Sequence, residues 1–310
     1  MTPMRNLFRT ADRKEQKDKR IMDRNKKIIM ISAISVLVIA CITVYVFVFG
    51  RDKKPEALPE VTATETVAET TVPLTETEAP ETTTEEPVYE YHSGLYLKAQ
   101  EAHKINSDVV GWLRISGTNV DYAILQTDNN DFYMDRDINK NYSRDGYIFM
   151  DFRNVFGENE DLNSDNLLIY GHNMANGSMF NTMHRYKKSG FYQQNPYVEI
   201  SSLYKDYQYK IYTCILANGA AGSDFEFWNY VNFPMEQSGN AEAEFNDFKS
   251  KVDSHAIFKT GVDLKFGDDI LSLSTCNSGS STDHTRFVTI ARRVRNGEDP
   301  GAGTAECVMK

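Results

Sequence analysis

Cysteine is scarce in this 310-residue chain, which has four: Cys41, Cys214, Cys276 and Cys307. No two stand at the spacing of a zinc site, and nothing resembles the dense framework of a disulfide-stapled domain. A Cys214–Cys307 bridge stays open at this level. Basic charge is short as well. Against 44 Asp and Glu there are 34 Lys and Arg, a net charge of −10. That balance argues against nucleic acid as a partner.

Two stretches lack something more completely. Ile28 to Phe49 has no charged residue and is nearly all apolar. As a helix it is long enough to cross a hydrocarbon core of about 30 Å. Ten basic residues against four acidic ones precede it, a net +6 before residue 28. The positive-inside rule then puts the N-terminus in the cytoplasm. A cleaved signal peptide is the rival reading. The run is longer than a signal core, and no small-x-small site directly precedes Arg51. Pro55 to Glu90, in turn, has no Lys or Arg and no aromatic before Tyr89; ten Glu, ten Thr and five Pro fill much of it. Such a segment buries too little apolar surface to offset its conformational entropy. An extended, self-repelling tether is expected.

The expected organisation is therefore a basic cytoplasmic segment (1–27), a transmembrane anchor (28–49), a Thr/Glu/Pro tether (50–90) and one globular domain (91–310). The domain holds both Trp and most of the Tyr and Phe, and is long enough for a substantial core. Ser93 to Asn106 reads as a helix. Short strands follow at Val120–Gln126, Tyr147–Met150, Asn166–Tyr170, Tyr197–Ile200 and Gln208–Leu216, a density that suggests a closed or nearly closed barrel. Ser178 to Arg185 reads as a helical turn. Ala241, Phe245, Phe248 and Val252 recur at helical spacing and mark an amphipathic helix before the next strand. Cys214 lies in an apolar strand and reads as core; Cys307 lies in a small-residue tail.

Three apolar runs carry the chemistry. Ile270-Leu271-Ser272-Leu273 leads through Ser274-Thr275 to Cys276. Arg286 opens Arg286-Phe287-Val288-Thr289-Ile290. Asn166-Leu167-Leu168-Ile169-Tyr170 ends in Gly171-His172-Asn173. A cysteine, an arginine and a histidine at strand ends fit a nucleophile, an oxyanion clamp and an acid/base. A buried core cysteine is the bland alternative for Cys276, but its polar neighbours and the Gly/Ser loop beyond argue against it. Of the other histidines, His284 competes with His172 because it lies in the loop between Cys276 and Arg286. His92, His103, His184 and His255 read as solvated or structural. Arg292, Arg293 and Arg295 read as solvated or strand-edge charges.

At these residues the chain resembles the sortases, whose signature T-L-x-T-C appears here as Ser272-Leu273-Ser274-Thr275-Cys276, with Ser in the first position. Asp108-Val109-Val110-Gly111-Trp112-Leu113-Arg114-Ile115, Thr118-Asn119-Val120-Asp121-Tyr122, Gly146-Tyr147-Ile148-Phe149-Met150-Asp151 and Tyr170-Gly171-His172-Asn173-Met174 look like class B. The resemblance covers roughly residues 91–296. It implies a mainly β fold: a sortase-like barrel with an N-terminal helix and a long helix inserted before the cysteine strand. It also implies a cysteine transpeptidase with Cys276 as nucleophile, His172 as general acid/base and Arg286 on the oxyanion. Ser274 and Thr275 would contribute substrate contacts, although a structural turn role is an equal reading. The implied partners are secreted proteins bearing a C-terminal sorting motif, cleaved after Thr, and a cell-wall precursor peptide or pilin amine as acceptor. Class B motifs usually begin with Asn-Pro or a similar X-Pro pair. No metal and no cofactor is called for. The implied location is the cell membrane, single-pass, with the catalytic domain outside. Two rival functions stay open: an anchored cysteine peptidase or hydrolase using the same thiol, and a non-catalytic surface adhesin with a β-rich head.

Overall fold

A computed structural model describes residues 90–233, 240–278 and 283–310. All belong to the compact unit Pro80–Lys310. The expected span and nearly all of the tether lie outside the described residues. Among the described residues no helix is long and apolar enough to cross a membrane.

Eight strands close into a barrel: β1 (Val109–Arg114), β2 (Asp121–Leu125), β3 (Phe149–Met150), β4 (Asn166–Tyr170), β5 (Tyr197–Ser202), β6 (Asp206–Asn218), β8 (Ile270–Cys276) and β9 (Thr285–Arg293). Their order around the barrel is β1-β2-β3-β4-β8-β9-β6-β5, and β5 returns to β1. β2–β3 and β4–β8 are parallel; the other six pairs are antiparallel. β7 (Phe258–Thr260) pairs instead with β10 (Cys307–Met309) in a separate ribbon. The helices are α1 (Leu95–Ile105), α2 (Ser189–Gln194) and α3 (Ala241–His255).

β4, β8 and β9 are buried along most of their length because both of their faces are covered. Leu167, Ile169, Leu271, Leu273, Phe287 and Ala291 point into the barrel core. The intervening Leu168, Ile270, Val288 and Ile290 form a second core outside the barrel with Phe245, Phe248 and Val252 of α3. The two-residue period of the strands divides their side chains between these cores. The 3.6-residue period of α3 supplies the facing stripe. Asn240 caps that helix, its side chain accepting from the Ala243 N–H at 3.0 Å. Ser272 falls on the outer face, where its hydroxyl donates to Asn166 Oδ1 at 2.9 Å, so its buried oxygen is paired.

Several expectations are corrected. β1 is additional to the expected strands: its buried and half-buried residues alternate, but Gly111 and Trp112 interrupt the apolar pattern. β3 is only two residues long, and the helical turn after His172 is a 3-10 helix over Asn181–Lys187 followed by α2. The small-residue tail that holds Cys307 ends in a strand, β10, with Cys307 half-buried against the barrel core. Arg292 is not solvated: it is 1% exposed. It stands opposite Lys210, itself fully buried. Two like charges tolerate that pairing because Glu298 bridges them, at 2.6 Å from Arg292 and 2.5 Å from Lys210. Burial opposes the Glu298 charge, but those two hydrogen bonds prevail and hold its carboxyl down to about 2.

Candidate active site

The Cys276 side of the site follows from register. β8 and β9 pair antiparallel with Cys276 directly opposite Arg286. Cross-strand partners put their side chains on one face of the sheet. β4 runs parallel to β8 with Tyr170 opposite Ser274, and the Gly171 N–H donates to the Ser274 carbonyl at 3.1 Å. His172 is two residues beyond Tyr170 and Cys276 two beyond Ser274, so the parallel register delivers both to one end of the barrel. A cleft of about 310 Å³ opens there, lined by Cys276, His172, Arg286, Ser274 and Thr275. All five candidate site residues thus meet in one place. His284 is exposed and does not line the cleft; only its backbone carbonyl takes part, accepting from the Gly219 N–H at 2.8 Å.

His172 is oriented by a backbone group. Its Nε2 lies 2.8 Å from the Met134 carbonyl. A carbonyl only accepts, so Nε2 carries the hydrogen and Nδ1 of the neutral ring is left with a free lone pair. Gly146 makes this approach possible. Its φ is +56°, and a Cβ there would stand 2.6 Å from the Met134 oxygen and 2.9 Å from His172 Cδ2.

Arg286 has no carboxylate partner among the described residues, and its guanidinium reaches only the His284 carbonyl, at 3.4 Å. Among the described residues most of its donors are therefore unspent at the edge of the cleft. Gly219 gives the side chain room: a Cβ at that position would stand 2.9 Å from Arg286 Cγ.

The two other cysteines among the described residues differ from Cys276 in environment. Cys276 is partly exposed in the cleft. Cys214 is fully buried, its sulfur 3.3 Å from the Thr289 hydroxyl, and burial pushes its thiol up to about 12. Burial also raises the Cys307 thiol. Both are therefore poor thiolates at neutral pH. Cys214 and Cys307 are unbridged.

The far wall of the cleft is held by Asp151, a fully buried carboxylate. It accepts from Arg153 Nε and Nη2, each at 2.8 Å, and from Asn130 Nδ2 and the Tyr170 hydroxyl, each at 3.0 Å. Asn130 and Tyr170 both line the cleft. Arg153 also donates to the carbonyl of Trp228, another lining residue. Burial works against the Asp151 charge, but the hydrogen bonds and charge of Arg153 keep the group below the usual carboxylate range.

Sequence reasoning missed the orienting carbonyl of Met134 and two side chains behind Cys276. Asn173 Nδ2 and His184 Nε2 lie 3.0 and 3.1 Å from the Cys276 carbonyl. Asn173 had a weak signal in its position beside His172. His184 had none, because 92 residues separate it from Cys276.

No protein-family model matches the sequence. Individual relatives do. The chain is 30% identical to Staphylococcus aureus sortase B over 196 residues, 63% of this chain and 74% of that protein. It is 32% identical to Listeria monocytogenes sortase B over 195 residues, 63% of this chain and 73% of that protein. Among solved structures, a Staphylococcus aureus sortase B–substrate complex superposes with a TM-score of 0.56 at 26% identity, covering 65% of this chain and 86% of that one. Clostridium perfringens sortase B superposes at 0.54 with 30% identity, covering 63% of this chain and 98% of that one. The shared barrel and the similarity across three quarters of these relatives agree: the chain belongs to the class B sortases, a family of cysteine transpeptidases.

Proposed function

We propose that this protein cleaves a C-terminal sorting motif of secreted proteins after its threonine and transfers the acyl group to a cell-wall or pilin amine. The observation that carries the reading is the direct pairing of Cys276 with Arg286 at the mouth of the cleft that His172 also lines. Cys276 gives its thiol proton to His172 Nδ1 and, as thiolate, attacks the threonine carbonyl. The guanidinium of Arg286 stabilises the charge that develops on the carbonyl oxygen. His172 Nδ1, protonated in this step, gives its proton to the departing amine; the C–N bond breaks and a thioester remains on Cys276. The incoming amine then loses a proton to His172 Nδ1 and attacks the thioester. A new amide forms, and the Cys276 thiolate leaves. Ser274 and Thr275 line the cleft beside the nucleophile and contact the bound peptide.

Two neighbours support the substrate classes. One is a Staphylococcus aureus sortase B–substrate complex; the other is a sortase B complexed with triglycine, a short peptide offering a free amine. The rest of the proposal comes from sequence. Residues 28–49 anchor the protein in the cell membrane, with the N-terminus in the cytoplasm; residues 50–90 act as spacer; and the barrel works outside.

Incubation with an Asn-Pro-type sorting peptide, with and without triglycine, tests transfer against hydrolysis. The proposal expects an amide-linked peptide–triglycine product. The free acid alone at every triglycine concentration would assign the thiol to a hydrolase instead.

A further inference from the structure

The Cys276 carbonyl is gripped from behind by two side chains on separate segments. Asn173 comes from the His172 loop and is itself fixed by Asn181, whose Nδ2 donates to Asn173 Oδ1 at 2.6 Å. His184 comes from the 3-10 helix Asn181–Lys187, and its ring packs on Phe287 at a centroid distance of 4.8 Å. Phe287 follows Arg286 on β9 and stands opposite Thr275. The same helix reaches one residue past the nucleophile, where Lys187 Nζ donates to Asn277 Oδ1 at 2.8 Å. It is also joined to the general-acid segment, since the Phe180 N–H donates to the His172 carbonyl at 2.9 Å. One short helix therefore touches the supports of all three candidate catalytic side chains.

The state of the His184 ring follows from its partners. The Cys276 carbonyl accepts, so Nε2 carries the hydrogen. Nδ1 is buried and has no hydrogen-bond partner. A proton there would be buried without an acceptor, with Lys187 nearby as a second positive charge, so the neutral ring is favoured. His184 does not line the cleft and is outside the proton-transfer path.

We infer that His184 is a positioning residue for the transpeptidation: with Asn173 it clasps the Cys276 carbonyl and fixes the thiol relative to His172 and Arg286. This rests on the reading of Cys276 as nucleophile. A displaced strand end leaves the cleft able to bind peptide but misaligns sulfur and carbonyl. The cost of a lost clasp therefore falls on kcat, because near-attack geometry is sensitive to small displacements.

The test compares His184→Phe, which keeps the ring packing and loses the donor, with His184→Gln, which keeps an N–H donor. Turnover of a sorting peptide is read beside alkylation of Cys276 by iodoacetamide, a probe that needs no sorting motif. Loss of one hydrogen bond predicts a fall in kcat of about 10-fold for His184→Phe, with KM held within about twofold. His184→Gln should return to within about threefold of wild type. Wild-type kcat in His184→Phe, a loss confined to KM, or equal damage in both variants would overturn the inference. If the wild-type protein alkylated but turned over no sorting peptide, the functional reading would fail on its own. The clasp would then be judged by alkylation alone, slowed in His184→Phe and restored in His184→Gln if it exists, and unchanged if it does not. Should the variants not fold, nitrogen NMR of the wild-type protein decides. A neutral His184 with its hydrogen on Nε2 at neutral pH supports the clasp, and a hydrogen on Nδ1 refutes it.

Discussion

Cys276 and Arg286 face each other across one rung of the β8–β9 ladder, so the thiol and the guanidinium are held together by barrel hydrogen bonding rather than by a flexible loop. No carboxylate among the described residues neutralises Arg286. Its fork of donors is available to an oxyanion, and lysine does not reproduce that fork.

Arg286→Lys should therefore be severely impaired. Removing an oxyanion donor typically costs about 10² to 10³ in turnover. Reaction of Cys276 with a small alkylating reagent should persist, because that step builds no tetrahedral oxyanion. Steady-state transfer rates and alkylation rates measured on the same preparation check this, and near-wild-type transfer would sink the role.

Gly146→Ala should damage the His172 step in particular. Its φ of +56° disfavours any side chain, and the new methyl would sit 2.6 Å from the Met134 oxygen that orients His172. A stability loss of about 1 kcal/mol or more follows from the backbone alone. Below its thermal transition the variant should cleave peptide much more slowly than wild type while still alkylating at Cys276. Unchanged cleavage would show that the Met134 hydrogen bond is dispensable.

The pH dependence of stability has two limbs. The His184 pKa is lowered from 6.5, first by burial and then by Lys187, which itself faces Asp283, while the Cys276 carbonyl works the other way. The unfolded chain therefore takes up a proton before the native one does. The His184 contribution is present above the ordinary histidine range and fades as pH falls from about 6.5 toward the native value. Asp151 acts further into acid. Its pKa is also lowered, so its contribution is complete above the unfolded carboxylate value and is lost only as pH falls below about 4. Denaturant midpoints between neutrality and pH 5 should fall less in His184→Gln than in wild type. Equal slopes would remove His184 from the first limb.

Much of this was legible in the sequence where one residue type and one period coincide. The run Asn166–Tyr170 was an apolar strand and appears with those bounds. The Ala241, Phe245, Phe248 and Val252 stripe marked α3; the last three are buried, and Ala241 at the first turn is half-buried. Cys276 and Arg286 could be aligned because a strand ended at one and began near the other. What stayed hidden depends on partners remote in sequence. The carbonyl that orients His172 belongs to a backbone and leaves no side-chain trace. Arg292 looked solvated because the residues that neutralise it, Glu298 and Asp263, sit in separate loops. His184 looked incidental because its acceptor is the carbonyl of Cys276, not a neighbouring side chain.

The most direct measurement is mass spectrometry of the protein after brief incubation with an Asn-Pro-type sorting peptide, followed by proteolytic mapping of the adduct and chase with triglycine. The account predicts a thioester on Cys276 carrying the peptide up to its threonine, absent in Cys276→Ala and discharged by triglycine into an amide product. An adduct on Cys307 or Cys214, or undiminished turnover in Cys276→Ala, would contradict it.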